Sequence, residues 1–347
     1  MNEHKFKYKW KLIDGYPAQG IEKHGLKVFG TFICGGGSTM GYKLAGFEHL
    51  GGVEIDPPIA DVYKANHNPK YLFIEDIRDF ANRLEFPEEL YNLDILDGSP
   101  PCSSFSMAGN REKDWGKEKV FREGQSLQRL DDLFFDYIKL AKKLQPKVVI
   151  AENVKGMLQG NAKVYVKRIK YEFEQAGYKV QLFLLNAASM GVPQKRERVF
   201  FVCQRNDLNL PKLKLDFNEK VILFKDVKEI DNNKNLIPSD LSKEYWSKCK
   251  QGKSLSTVHP TGSWYNHARL SDNEPSPTLM GDGKFKLLHS TECRRLNIKE
   301  WCKIGTYPLD YNFNKIIGEY LIGMSVPPVM TAQVAHQIYL QWLSKTS

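Results

Sequence analysis

No apolar run in this sequence is longer than a strand. Val199-Phe200-Phe201-Val202-Cys203 is among the longest, and nothing approaches the length needed to cross a bilayer. The first residues carry lysines instead of the apolar stretch of a secretory signal, so a cytoplasmic protein without membrane contact is expected. Cysteine is scarce: Cys34, Cys102, Cys203, Cys249, Cys293 and Cys302 are six in 347 residues. None forms a CxxC pair and no Cys/His cluster has zinc-ligand spacing, which argues against a metal site and against a disulfide scaffold. Scattered cysteines of this kind are expected to be reduced thiols, most of them packing residues and one of them a candidate nucleophile. Internal repeats and long low-complexity tracts are also missing. What is present is a basic excess, 50 Lys+Arg against 41 Asp+Glu, or +9, which favours a polyanionic partner. Hydrophobic residues at 41% and aromatics at 12% supply a real core, so a disordered chain is excluded.

The length suits one large domain plus a smaller one. Over the first two-thirds, short apolar runs alternate with helical patterns. The runs predict seven strands: Val28 to Cys34, Leu50 to Ile55, Tyr71 to Ile74, Leu93 to Leu96, Lys147 to Ala151, Tyr178 to Leu185 and Arg198 to Cys203. Between the fourth and fifth, Leu127, Leu130, Leu133, Phe134, Tyr137, Ile138, Ala141 and Leu144 fall at helical spacing, and Pro146 stops the helix. Such alternation predicts an α/β fold with a doubly wound, mostly parallel sheet, whose ligands lie at the carboxyl ends of the strands. From about Arg205 to Pro308 the pattern gives way to Lys, Asn, Asp, Pro and Gly with short apolar runs, which reads as a smaller, loop-rich domain. Val329 to Leu343 returns to a helical pattern. Residues 1–204 with 320–347 are therefore expected to form the large domain and 205–319 the small one. The alternating Lys5-Phe6-Lys7-Tyr8-Lys9-Trp10-Lys11-Leu12 predicts an edge strand guarded by lysine.

Chemistry concentrates after the strands. Thr31 to Gly41 carries Gly35, Gly36 and Gly37, where a ligand can approach the backbone, but Met40 replaces the third glycine of the dinucleotide fingerprint, so a nicotinamide dehydrogenase is set aside. Glu54 ends the second strand, where nucleotide-type folds hold a ribose diol, and Asp76 follows the third. Asp97-Gly98-Ser99-Pro100-Pro101-Cys102 puts a cysteine in a Pro-Pro loop beyond the fourth strand. A core cysteine rarely sits in such a loop, so Cys102 is the candidate nucleophile. Glu152 ends the fifth strand and faces the same crevice. Gln194-Lys195-Arg196-Glu197-Arg198 leads into the seventh, with Arg196 and Arg198 pointing one way if extended.

Pro101-Cys102, Glu152-Asn153-Val154 and Gln194 to Arg198, in that order, resemble the cytosine-C5 DNA methyltransferase family of bacterial and phage type. Glu274-Pro275-Ser276-Pro277-Thr278-Leu279 and Gly323-Met324-Ser325-Val326-Pro327-Pro328 resemble two further blocks of that family. The resemblance implies the fold of S-adenosylmethionine-dependent methyltransferases, with 205–319 as the target-recognition domain. It implies double-stranded DNA as partner, methyl transfer to C5 of a flipped-out cytosine in a specific sequence, and a covalent adduct between Cys102 and C6. Glu152 would protonate N3 of the ring. Arg198 would hold O2 and favour the thiolate, and Arg196 would support. Toward S-adenosylmethionine it implies Gly35 and Gly37 near the methionine part, Glu54 on the ribose, Asp76 on the adenine amine, Pro100 and Ile77 as further contacts, and Ser325 and Val326 closing the site. Ile33 and Ile55 stand where the family places aromatics, Met324 where it has Asn, and Ser103 where Gln is frequent.

The stretch Asn110 to Gln128 carries Arg111, Lys113, Lys117, Lys119 and Arg122 with Trp115 and Phe121, and by resemblance closes over DNA. Lys248, Lys250, Lys253, His259, Trp264, Tyr265 and His267 are candidates for DNA contact, weighed against ordinary surface residues. A monomer is expected, as is a cognate restriction endonuclease that the enzyme does not touch. Two alternatives remain. The tRNA-methylating branch carries a Cys-Phe-Thr tripeptide that this sequence lacks, and a catalytically silent DNA-binding homologue fits poorly with intact Cys102, Glu152 and Arg198.

Overall fold

Val28 and Phe29, near the start of the first apolar run, are fully buried, as befits a strand covered on both faces. A computed structural model describes residues 4–101, 118–119, 128–129, 132–160, 162–236, 238–281 and 286–346. Cys102 and most of Asn110 to Gln128 lie outside the described residues; within that stretch only the backbones of Glu118–Lys119 and Gln128 are described, in a short antiparallel pairing. Seven strands form one sheet: β1 (Lys27–Thr31), β2 (Glu48–Glu54), β3 (Tyr71–Ile74), β4 (Ile95–Gly98), β5 (Val148–Val154), β6 (Tyr178–Asn186) and β7 (Glu197–Arg205). Their order is β3-β2-β1-β4-β5-β7-β6. Pairings from β3 across to β5 are parallel, while β7 runs antiparallel to β5. The order reverses between β1 and β4, so the crevice for a ligand opens beyond the carboxyl ends of those two strands.

The connecting helices are α1 (Gly37–Leu44), α2 (Pro57–His67), α3 (Ile77–Asn82), α4 (Leu133–Leu144) and α5 (Ala162–Gln175). The α4 stripe of Leu133, Phe134, Tyr137, Ile138, Ala141 and Leu144 is buried as its spacing predicts. Leu127 and Leu130 lie outside the described residues. The helix ends where Gln145 turns left-handed (φ 49°) ahead of Pro146. Phe29, Phe80, Phe134, Tyr137, Phe173 and Phe201 knit the sheet and these helices into one core. The first strand stops earlier than the apolar run suggests. Phe32 and Cys34 take left-handed backbone angles, φ 54° and 46°, so the chain leaves the sheet at Thr31 and turns across its edge.

By contacts the chain divides into two compact units. The first, holding the sheet, comprises Tyr16–Leu185, Glu197–Asp216 and Val334–Ser347. The second comprises Met1–Gly15, Asn186–Arg196 and Phe217–Gln333. This division cuts the chain differently from the boundaries 204/205 and 319/320: residues 205–216 pack with the sheet, whereas 1–15, 186–196 and 320–333 pack with the smaller unit. The second unit contains α6 (Asp240–Lys248), the parallel pair β8 (His267–Arg269) and β9 (Lys286–Leu288), α7 (Ile298–Gly305) and α8 (Gly318–Met324). Helix α9 (Pro328–Gln341) starts here and ends in the sheet unit. At the centre of the smaller unit Glu300 is fully buried. It accepts from Arg294 Nη1 and Nη2 at 2.8 and 3.0 Å, from Glu229 N at 3.0 Å and from Asn297 N at 2.9 Å, so its charge is compensated on several sides.

Lys5 to Leu12 corrects one expectation. The segment is not a strand. Its alternation of exposed lysines with buried Phe6 and Trp10 is real, but it is satisfied within the smaller unit by side-chain and loop contacts instead of a ladder. Trp10 Nε1 donates to Thr306 O at 2.9 Å, Tyr8 Oη to Asp226 O at 3.1 Å, and Leu309 N to Trp10 O at 2.9 Å. A period of two fixes which side chains face inward but not what the backbone pairs with.

Candidate active site

Glu152 and Asn153 are late residues of β5, where they pair with Phe200 and Val199 of β7. Because β7 runs antiparallel, its second residue, Arg198, arrives at the same edge of the sheet. The Arg198 Nε donates to Glu152 Oε1 at 2.9 Å, and both side chains are largely buried. Burial lowers the proton affinity of the guanidinium, and the Glu152 carboxylate beside it works the other way. Asn153 Nδ2 donates to Pro100 O at 2.9 Å, so β5 also fixes the start of the Pro100-Pro101 segment that leads covalently into Cys102.

The carboxyl ends of β1 to β4 carry the other sheet-side candidates. Glu54 is buried at the end of β2. Its Oε2 accepts from Cys34 N at 2.9 Å and its Oε1 from Asp56 N at 3.0 Å. Burial raises its pKa, and the backbone N–H groups of Asp56 and Cys34 oppose that rise. Ile33, Gly35 and Gly37 occupy the turn it holds, with Gly35 and Gly37 buried and Ile33 packed inward; Ile55 follows Glu54 and is half-buried. Gly36 caps α1 with φ 75°, and a Cβ there would meet His67 Nε2 at 2.2 Å, so the turn lies directly on an imidazole and only glycine fits. Asp76 caps α3. Its carboxylate takes the Arg78 backbone N at 2.8 Å and the Arg78 guanidinium at 3.0 and 2.8 Å. Ile77 is buried beside it, and Pro100 is buried after β4.

Arg196 does not share a target with Arg198. It lies in the smaller unit, buried, where Nη1 donates to Leu279 O at 2.9 Å and Nη2 to Gly323 O at 3.1 Å. The guanidinium joins the two blocks around Leu279 and Gly323, which is a structural task. Ser325 and Val326 are buried in the same unit. Ser325 Oγ donates to Leu321 O at 2.8 Å and meets Tyr307 Oη at 2.6 Å.

A family profile described as C-5 cytosine-specific DNA methylase matches residues 26–340. The chain belongs to this family. It is 32% identical over 345 residues to the Type II methyltransferase M.FnuDI of Fusobacterium nucleatum, covering 90% of this chain and 94% of that protein. The Type II methyltransferase M.NgoPII of Neisseria gonorrhoeae is 30% identical over 347 residues, covering 90% and 95%. DNMT2 of Spodoptera frugiperda shares the fold with a TM-score of 0.63 at 18% identity, over 91% of this chain and all of that one. The activity is accordingly that of a DNA (cytosine-5-)-methyltransferase. Among the described residues no helix is long and apolar enough to cross a membrane, and none of Cys34, Cys203, Cys249, Cys293 and Cys302 is in a disulfide.

The methylase has one acid at this edge that reading the sequence left out of the site. Asp97 pairs with Ile150 across β4 and β5, which puts its side chain on the same face as Glu152. Tyr42 Oη donates to Asp97 Oδ1 at 2.9 Å, and Thr31 Oγ1 donates to its main-chain O at 3.2 Å. Burial pushes the Asp97 carboxyl up to about 7; the Tyr42 hydrogen bond opposes this and the charge of Glu152 adds to it. The rule that picked Glu54 and Glu152, an acid at a strand's carboxyl end, picks Asp97 as well.

In the smaller unit, three of the seven DNA-contact candidates come together. His259, Trp264 and His267 stack in one column, with ring centroids 5.9 and 4.9 Å apart, and Tyr245 packs edge-on against Trp264 at 5.4 Å. Trp264 holds a left-handed backbone, φ 68°, strained for an aromatic residue. Lys250, Lys253 and Tyr265 are exposed nearby in sequence, and Lys248 is ion-paired to Glu244 one turn back on α6.

Proposed function

We propose that this methylase transfers the methyl group of S-adenosylmethionine to C5 of a cytosine flipped out of a specific duplex DNA sequence. The observation that carries the reading is the buried Glu152–Arg198 pair, 2.9 Å apart, beside the Asn153–Pro100 bond that ties β5 to the loop leading to Cys102. C5 of cytosine is a poor nucleophile. A Cys102 thiolate adding to C6 raises the electron density at C5, and Glu152 delivers a proton to N3 as negative charge builds on the ring. Arg198 orients Glu152 and offers positive charge toward the base and the thiolate. Once C5 carries the methyl, a solvent base takes the C5 proton, the C6–sulfur bond breaks to release the Cys102 thiolate, and the N3 proton returns to Glu152, which restores the aromatic ring. C6 is out of reach within a stacked duplex, hence the flipped base.

The residues at the β1 to β4 edge fit the cofactor. A buried carboxylate, Glu54, sits at the end of β2 with backbone N–H groups ordering it, and a glycine turn over His67 leaves the backbone open. Glu54 would hold the ribose hydroxyls and Asp76 the adenine amine, with Ile33, Gly35, Gly37, Ile55, Ile77 and Pro100 around them. S-adenosylmethionine supplies the electrophilic methyl. Residues 205–319 would read the target, with Asn110 to Gln128 closing over the DNA. The names of the Type II relatives support a place beside a restriction endonuclease. We take the working form to be a cytoplasmic monomer.

Labelled methyl transfer to unmethylated duplex DNA and to tRNA, with Cys102→Ala as control, tests this. 5-Methylcytosine in DNA that disappears with the variant is the expected result, and bisulfite sequencing of the product then gives the target. Label confined to tRNA, or none in either nucleic acid, overturns the reading.

A further inference from the structure

The smaller unit holds a cavity of about 230 Å³ that the catalytic reading does not use. Ser239, Ser242, His267, Lys286 and Arg295 line it, with Leu288 as an apolar wall. The fold brings these side chains together for a definite reason. In the parallel pair β8–β9, His267 lies directly opposite Lys286, and Leu288, two residues on, bridges to Arg295. The three basic residues therefore converge from three adjacent backbone segments. Ser239 caps α6, and its hydroxyl lies 3.1 Å from that of Ser242 on the rim.

The charge balance is one-sided. Among the described residues no carboxylate lines the cavity, and neither Lys286 nor Arg295 has an ion pair. Asp240, the nearest acid in sequence to Ser239, is exposed and engaged by Lys243. Burial and the charge of Lys286 together lower the pKa of His267. Its Nδ1 is buried and makes no hydrogen bond among the described residues. Two cations, a ring nitrogen and two hydroxyls around a space a few waters wide suit a tetrahedral oxyanion better than a neutral group.

We propose that this cavity binds one phosphate of the nucleic-acid backbone, with Lys286 and Arg295 supplying charge and His267 and Ser242 supplying hydrogen bonds. The inference rests on DNA being the substrate and adds a site to it. A phosphate contact positions the duplex without reading its sequence. It also gives the His259–Trp264–His267 column a second purpose, since the stack fixes the plane of the imidazole at the cavity wall.

Binding of a fluorescent duplex over a salt series tests it, in the full-length protein and in Lys286→Ala and Arg295→Ala. Each variant should bind several-fold more weakly, by the same factor on target and unrelated duplexes, and each should flatten the slope of log K against log salt by about 0.9. Unchanged affinity for S-adenosylmethionine identifies a folded variant. Inorganic phosphate should shift the His267 ring nitrogens in the NMR spectrum of wild type, and shift them less in the variants. Unchanged slopes in folded variants, or a loss confined to the target sequence, overturn the phosphate site while leaving the enzyme's function intact. A wild type that binds no duplex at all overturns the functional reading, and this site with it.

Discussion

Arg198 and Glu152 are mutually dependent because both are buried. Replacing Arg198 with Ala leaves a carboxylate in the core edge without its cation, which costs about 3–5 kcal/mol. Urea unfolding should show that loss. Glu152→Gln keeps the shape and removes the transferable proton, so stability should hold while single-turnover methyl transfer falls about 10²- to 10⁴-fold. Near-normal turnover in that variant would take Glu152 out of the chemistry. Asp97 makes a different prediction. Its folded pKa is pushed up to about 7, whereas an unfolded Asp titrates near 3.9. Between roughly pH 4 and 7 the folded chain holds a proton that the unfolded chain has released, so this group's contribution to stability is present at low pH and is lost as pH rises through 7. Asp97→Asn should therefore flatten the dependence of the unfolding midpoint on pH between 5 and 8 and gain most at the alkaline end. Urea melts at four pH values measure it.

At the scale of elements, the turn between β1 and α1 is the most constrained. Phe32, Cys34 and Gly36 take left-handed angles within five residues, and His67 of α2 lies against Gly36. Gly36→Ala adds backbone strain of about 1–3 kcal/mol and a collision with the imidazole. The expected result is a lower melting temperature together with weakened S-adenosylmethionine binding by calorimetry, because the same turn holds Glu54. Much of this scale was legible in the sequence. Apolar runs located all seven strands, the inner ones because burial on both faces demands continuous hydrophobicity. The end of β1 was not legible, because Phe32, Ile33 and Cys34 are good strand residues overruled by the turn. Nor was the path of Lys5 to Leu12, whose partners Thr306, Leu309 and Asp226 are hundreds of residues away. The site divides likewise. Glu152, Arg198 and Glu54 follow from their places at strand ends, whereas the task of Arg196 depends on carbonyls from two distant blocks that no local pattern reveals.

For the whole molecule, the two units carry different reporters. Trp10, Trp246, Trp264 and Trp301 belong to the smaller unit, Trp342 to the sheet unit, and Trp115 lies outside the described residues. Tryptophan fluorescence thus follows mainly the smaller unit, while far-ultraviolet dichroism weighs both. Glu300→Ala takes one of two carboxylates from the buried Arg294 and leaves it Glu292, at a cost of about 1–3 kcal/mol. The fluorescence midpoint in urea should fall, and a fluorescence curve that stays with wild type would remove the pair from the stability of that unit.

The crossing of β5 by β7 has a consequence for what a purified sample contains. Arg198 meets Glu152 only when the two strands pair in one alignment. Sliding β7 by a single residue would carry the guanidinium to the side now occupied by Val199, among Phe134 and Phe201, with no acid to receive it. A charge stranded there is too unfavourable to persist. The Glu152–Arg198 pair therefore proofreads the strand alignment. Molecules that complete folding have this half of the site assembled, and an active-site titration should count as many competent molecules as there are folded ones.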